Sequence, residues 1–220
     1  MQDYKTHLDR MINTIISYGV KDKKVLKALK AVPRHFFVPG SMDNMAWVYA
    51  DSPLPIGNKQ TISQPYTVAY MLELLELKKG MNILEIGAGS GWNAALIKHI
   101  VGKSGKVTAL EYIKDIAELA DKHIKSVGLD IEVINKDGRD GCRKNAPYDR
   151  IIASCACPKI MPEWRKQLKK NGIIVAPVGK YTQKMTKLVL FKGIDKISYH
   201  GEFSFVPLLG GNFNSRIQMI

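Results

Sequence analysis

The sequence contains no uninterrupted apolar run near the ~18 residues a membrane-spanning helix needs, so no membrane partner is expected for its 220 residues. Its first twenty residues, MQDYKTHLDRMINTIISYGV, mix both signs of charge and lack a signal-peptide core. A cytoplasmic protein is the expectation. Cysteine is scarce. Cys142, Cys155 and Cys157 are odd in number and form no CxxC pair, which argues against a disulfide framework and against a structural metal site. Arginine is also scarce, at 7 against 26 lysines. The net charge of +13 invites a nucleic-acid reading, but arginine is the residue suited to bidentate phosphate and base contacts. The lysines are scattered, with KDKK at 21–24 the densest run, so the charge reads as a solvated basic surface without a stable nucleic-acid partner. There is no internal repeat and no low-complexity linker. One domain spanning 1–220 is expected, with a helical layer and Pro-rich loops over 1–56 and a core over 57–220.

In the first part, Leu8, Met11, Ile12, Ile15 and Ile16 recur at helical spacing and Gly19 stops them. Asp22 can cap a second helix bearing Val25, Leu26 and Leu29, which Pro33 ends, and Ser41 can begin a short third helix through Trp47. The Pro-rich segments PRHFFVPG and ADSPLPIG cannot be long regular elements. From position 82, apolar runs of strand length alternate with helix-length amphipathic stretches. The runs are NILEIG (82–87), KVTALE (106–111), IEVIN (131–135), YDRIIAS (148–154) and GIIVAPVG (172–179), with helices expected near 91–101, 114–127 and 160–170. Unalternated strands between helices indicate a parallel sheet covered on both faces. TKLVLFK and ISYHGEFSFV follow with no helix between them, an antiparallel addition at the edge. The fold class is α/β, a doubly wound, Rossmann-like sheet of seven strands.

The first long strand runs into LEIGAGSGWNAALIKHI, with Gly87, Gly89 and Gly91 at a strand-to-helix turn. Glycine there lets a ligand approach the backbone, and ligands of open parallel sheets sit beyond the carboxyl ends of the strands. A dinucleotide fingerprint fails because Trp92 holds its last glycine position, and the GK[ST] of a phosphate-cradling loop is absent. The second strand ends in Glu111, placed to accept from ribose hydroxyls, and the third in Asp137-Gly138, suited to an adenine edge. Glu85, just before the turn, favours a cationic ligand. Each signal has an ordinary structural source, since glycine turns occur without ligands and acids at strand ends cap helices. Together, at the ends of three successive strands, they fit S-adenosyl-L-methionine (SAM), a sulfonium with an ammonium group.

Beyond the cofactor turn, the sequence resembles the protein-L-isoaspartate O-methyltransferases. The resemblance is carried by YGVKDKKVLKALKAVPRHFFVP, YADSPLPIG followed by QTISQP, LEIGAGSGWNAA, KDGRDG, APYDRIIASCACPKIMP, GIIVAPVG and FVPLLG, roughly 12–220. It implies methyl transfer from SAM to the free α-carboxylate of L-isoaspartyl residues in damaged proteins and peptides, releasing S-adenosyl-L-homocysteine and starting repair through a succinimide. It also implies that Thr61, Ile62 and Ser63 line the methyl-transfer site with Ser63 catalytic, that Glu111 holds the ribose, and that Asp137 and Gly138 hold the adenine. Asp51, Leu54 and Pro55 of ADSPLP, with Val206, Pro207 and Leu208 of FVPL, would shape the peptide groove. A monomer is expected. Three positions depart from the family pattern: Lys59 stands where many relatives have glycine, Trp92-Asn93 replaces Tyr-Gln, and SCACP (154–158) replaces threonine and alanines.

The chemistry asks little of a side chain. A carboxylate with a pKa near ~4 is ionised at neutral pH and needs no general base. A neutral hydroxyl can orient it without competing as a nucleophile. Ser63 has a second reading as the N-cap of the helix beginning near Pro65, and the two roles are compatible. His35 reads more as a packed histidine than a substrate contact. A SAM-dependent methyltransferase acting on RNA is the alternative, but the [DN]-P-P-[YF] motif it would want is absent.

Overall fold

The computed structural model describes residues 4–40 and 44–211. Helix α1 (Tyr4–Ser17) buries Leu8, Met11, Ile12 and Ile15 on one stripe and leaves Ile16 in solvent. Helix α2 (Lys23–Ala31) is capped by Asp22, whose carboxylate accepts from Lys24 N–H at 2.7 Å, and it stops before Pro33 as expected. The PRHFFVP segment makes a 3-10 turn over Arg34–Phe37. Helix α3 is shorter than expected, Met45–Val48, because Asn44 caps it by accepting from Trp47 N–H. Ser41 lies outside the described residues.

The remaining elements are β1 (Leu54–Gly57), β2 (Gln60–Ile62), α4 (Pro65–Leu75), β3 (Asn82–Ile86), α5 (Trp92–Val101), β4 (Lys106–Glu111), α6 (Lys114–Ser126), β5 (Glu132–Asn135), β6 (Tyr148–Ala153), α7 (Pro162–Lys166), β7 (Leu168–Val178), β8 (Gln183–Phe191) and β9 (Ile194–Phe203). The main sheet runs β5-β4-β3-β6-β7-β8-β9, parallel through β7 and antiparallel over the last two strands. Successive strand residues enter opposite cores. Ile83, Ile152 and Ile173 join one with α1, α2, α4, α5 and α6, while Leu84, Ile151 and Ile174 join the other beneath Trp164 of α7. That division explains why the strands show no polar alternation.

Two elements differ from expectation. The helix expected over 160–170 is only one turn and a half, because Leu168 is already buried and paired with Tyr148 in β7. The ADSPLPIG segment, read as irregular, ends in a hairpin in which β1 pairs with β2. Its two-residue turn holds Asn58 at φ 48° and Lys59 at φ 57°. Both residues are left-handed, as a type I′ turn requires, and its second position favours glycine. Glycine would meet that backbone demand freely, and Lys59 meets it under strain.

Candidate active site

The sheet ends its central strands at one rim, and the glycine turn crosses that rim. Gly87, Gly89 and Gly91 all have positive φ, at 83°, 53° and 88°. Gly87 and Ala88 give their N–H groups to Leu110 O at 2.8 and 3.0 Å, which pins the turn to β4. A cleft opens above it, lined by Thr61, Ile62 and Ser63 of the hairpin side, the glycine turn, Glu85, Asn93, Glu111, Gly138, Ser154 and Phe205–Leu209.

Glu85 is fully buried at the end of β3. Its Oε1 accepts from Asn93 Nδ2 at 2.6 Å and from Ser154 Oγ at 3.0 Å. Its Oε2 and Asn93 Oδ1 are buried without a hydrogen-bond partner among the described residues. Burial raises the carboxyl pKa to about 7, against the two hydrogen bonds that lower it and with a smaller push from Glu111. Two orphaned acceptors in a cleft call for a donor, and a cationic amine supplies one to each. Glu111 accepts from Gly89 N–H at 3.0 Å through Oε2 and from Ile113 N–H at 3.1 Å through Oε1. Each oxygen keeps a lone pair for a ribose hydroxyl. Gly138 lies so close to β3 that a Cβ there would stand 2.4 Å from Ile86 Cγ2. Lys136, the cationic side chain among the lining residues, gives its ammonium to Gly141 O at 3.0 Å. These residues fit SAM: acceptors for its ammonium, acceptors for its ribose and a close-packed glycine at the end where its base would lie.

Ser63 does not cap α4. The cap position belongs to Gln64, whose side chain makes no cap bond. Asp51 does that work from the preceding loop, accepting from Tyr66 N–H through Oδ1 and from Gln64 Nε2 through Oδ2, both at 2.8 Å. The hydroxyl of Ser63 makes no hydrogen bond among the described residues, while its carbonyl accepts from Arg34 Nη1 at 2.8 Å. Arg34 is wholly buried. It also donates to Val48 O at 2.9 Å and Ser52 O at 3.1 Å, and its guanidinium lies 4.8 Å from the Trp92 ring. Desolvation lowers its pKa to about 9, opposed by nearby Asp51. One side chain thus ties the ADSPLP loop, the QTISQP segment and the first residue of α5 together.

A second groove shares Thr61, Ser63, Phe205 and Val206 with the cofactor cleft and runs outward past α4 and β9. Val206, Pro207 and Leu208, expected in the peptide groove, reach the shared rim because Ala156 N–H donates to Val206 O and Leu208 N–H to Ala156 O, both at 2.8 Å. Three other expectations need correction. Asp51 is committed to capping α4, Leu54 is buried in the core, and Pro55 points to solvent, so none of them lines either cleft. Asp137 is absent from the lining as well. Its carboxylate accepts from Arg139 N–H, Arg139 Nη1 and Gly211 N–H, leaving Gly138 to face the cleft. His35 is packed, sharing a 2.7 Å hydrogen bond with Tyr49 Oη. The three thiols are free and buried. Burial pushes the Cys155 thiol up and that of Cys157 up to about 12, which makes them inert neighbours of the cleft.

Acidic acceptors around a glycine turn on this sheet define a SAM-dependent methyltransferase. The chain matches the family model "Protein-L-isoaspartate(D-aspartate) O-methyltransferase (PCMT)" over residues 6–212. It is 45% identical over 204 residues to the protein-L-isoaspartate O-methyltransferase of Methanococcoides burtonii, covering 91% of this chain and 98% of that one. It is 43% identical over 212 residues to protein-L-isoaspartate O-methyltransferase 2 of Archaeoglobus fulgidus, covering 94% and 95%. A solved protein-L-isoaspartate O-methyltransferase superposes with a TM-score of 0.85 at 30% identity, over 93% of this chain and 66% of that longer one. A Plasmodium falciparum structure in complex with S-adenosyl-L-homocysteine shares the fold, with a TM-score of 0.81 at 21% identity over 91% of this chain and 97% of that one. The chain belongs to the protein-L-isoaspartate O-methyltransferase family. It is a SAM-dependent carboxyl methyltransferase acting on L-isoaspartyl residues of damaged proteins. Among the described residues, no helix is long and apolar enough to cross a membrane.

Proposed function

We propose that Ser63 orients the isoaspartyl α-carboxylate for methylation, and that the chain does so as one methyltransferase domain, a cytoplasmic monomer without a stable nucleic-acid partner. The observation that carries the site assignment is the junction of two clefts at Thr61 and Ser63. The hydroxyl at that junction is uncommitted, and its backbone is held by a buried arginine. Bound SAM supplies a methyl carbon on a sulfonium, an activated electrophile whose departure as a thioether needs no proton. The chain's own contribution is alignment. Glu85 and Asn93 take the ammonium, the backbone of Gly87 and Gly89 lies against the cofactor, Glu111 takes the ribose, and Gly138 closes the adenine end, while Gly91 packs the turn against α6 and Asp137 holds the adjoining loop. Thr61, Ile62 and Ser63 form the wall between cofactor and acceptor, and Val206, Pro207 and Leu208 form the acceptor's far side. Because the nucleophile is already ionised, positioning supplies most of the rate, and fixed geometry can contribute ~7–11 kcal/mol.

Ser63→Ala separates this role from a structural one. Since the hydroxyl has no hydrogen-bond partner among the described residues, the unfolding free energy should change by less than ~1 kcal/mol. Turnover per folded molecule should fall roughly ten- to hundredfold, as expected when an acceptor is misplaced by about an ångström. Normal turnover in a folded variant overturns the assignment.

A further inference from the structure

The outer groove carries a feature that transfer of a methyl group does not need. Tyr66 and Tyr70 stand one turn apart on α4 and stack at 5.7 Å with their planes 16° apart. Tyr18, beyond the end of α1, meets Tyr66 edge-on at 5.2 Å, and Phe203 of β9 stacks on Tyr70 at 6.2 Å. These four rings form a continuous ladder, and all four line the groove that begins at Thr61 and Ser63. Packing accounts for only part of it. Tyr66, Tyr70 and Phe203 rest against the core, but Tyr18 is 58% exposed and neighbouring Tyr199 is 65% exposed.

We infer that this ladder is a subsite for a large apolar or aromatic side chain flanking the isoaspartyl residue, so that the enzyme selects damaged sites by their neighbours. The inference rests on the assignment of Ser63 to the acceptor site. Continuity argues for the substrate itself as the occupant, since the same groove holds Ser63 at one end and the rings along its wall. A peptide in extended form places alternate side chains on one face about 7 Å apart, close to the spacing of successive rings. The rings along the wall favour an apolar or aromatic flanking group, with Glu202 and His200 the groove's charged or titratable lining residues beside its tyrosines. The Tyr199 ring already carries the Lys184 ammonium at 5.7 Å, so a second cation meets repulsion there.

The test is a set of peptides with one isoaspartyl acceptor, in which a single neighbour is Phe, Leu, Ser, Asp or Arg at each of the three positions on either side. Phe and Leu should lower KM about three- to tenfold relative to Ser at one position at least, with kcat changed less than twofold. Tyr70→Leu, which keeps apolar packing, and Tyr18→Ser, at an exposed position, should each shrink that preference. Equal KM values across the set with turnover intact overturn the inference and leave the acceptor site standing. So does a preference for Arg over Phe, or a preference untouched by both variants. If no isoaspartyl peptide is methylated, the acceptor-site assignment fails, and this inference fails with it.

Discussion

Lowering the pH from 8 to 6 should weaken SAM binding about tenfold, through the fully buried carboxyl of Glu85. The side chain is wholly enclosed at the end of β3, with Oε1 held by Asn93 and Ser154 and Oε2 without a partner among the described residues. Enclosure sets its pKa at about 7 in the cofactor-free protein. A cationic ligand needs the ionised form, which makes up about nine-tenths of the protein at pH 8 and about one-tenth at pH 6. The ratio is a factor of about ten, or ~1.4 kcal/mol of binding free energy. Titration calorimetry in buffers of different ionisation enthalpy should also register proton release on binding near pH 6. Glu85→Gln should bind SAM weakly with little pH dependence. It should also raise the stability of the cofactor-free protein at pH 8. The folded pKa lies above the unfolded value of 4.5, so the unfolded chain loses this proton first. Stability from this group is therefore lost as pH rises between those values, by on the order of 3 kcal/mol in full. A dissociation constant constant within twofold from pH 6 to 8 refutes the assignment of the ammonium to Glu85. A Glu85→Gln protein with unaltered binding refutes it as well.

Lys59→Gly should stabilise the protein by about 0.5–1 kcal/mol in chemical denaturation, because it relieves a left-handed residue in the β1–β2 turn. Turnover should be unchanged, and a large change in KM would instead point to a charge effect at the groove mouth. Arg34→Met should cost at least ~3 kcal/mol, since it leaves the carbonyls of Val48, Ser52 and Ser63 without their donor and removes the contact with Trp92. Arg34→Lys should be intermediate, one ammonium being unable to serve three segments. A loss under about 1 kcal/mol for the methionine variant contradicts the tie that Arg34 is assigned here.

Much of this was legible in the sequence because it is local. Five apolar runs of strand length, interspersed with helical stretches, could satisfy both faces of a sheet in few ways, and Gly87, Glu111 and Gly138 sit at strand ends where ligands gather. What escaped was non-local. The cap of α4 comes from Asp51, 15 residues before its partner Tyr66, while the local pattern pointed to Ser63. Arg34 finds acceptors up to 29 residues away, and a lone arginine in PRHFFVP carries no sign of that. Asn93 and Ser154 share Glu85 from two different elements. Both stand in departures from the family pattern, which was the one available hint. The hairpin was hidden by Pro53 and Pro55, since a three-residue strand leaves no periodicity to read.

The most direct measurement is methylation of matched peptides that differ only in an aspartyl or isoaspartyl linkage, with labelled SAM and the full chain. The account predicts base-labile methyl ester on the isoaspartyl peptide, little on the aspartyl one, and a loss of roughly ten- to hundredfold with Ser63→Ala. Equal labelling of both peptides, or full activity without the Ser63 hydroxyl, would contradict it.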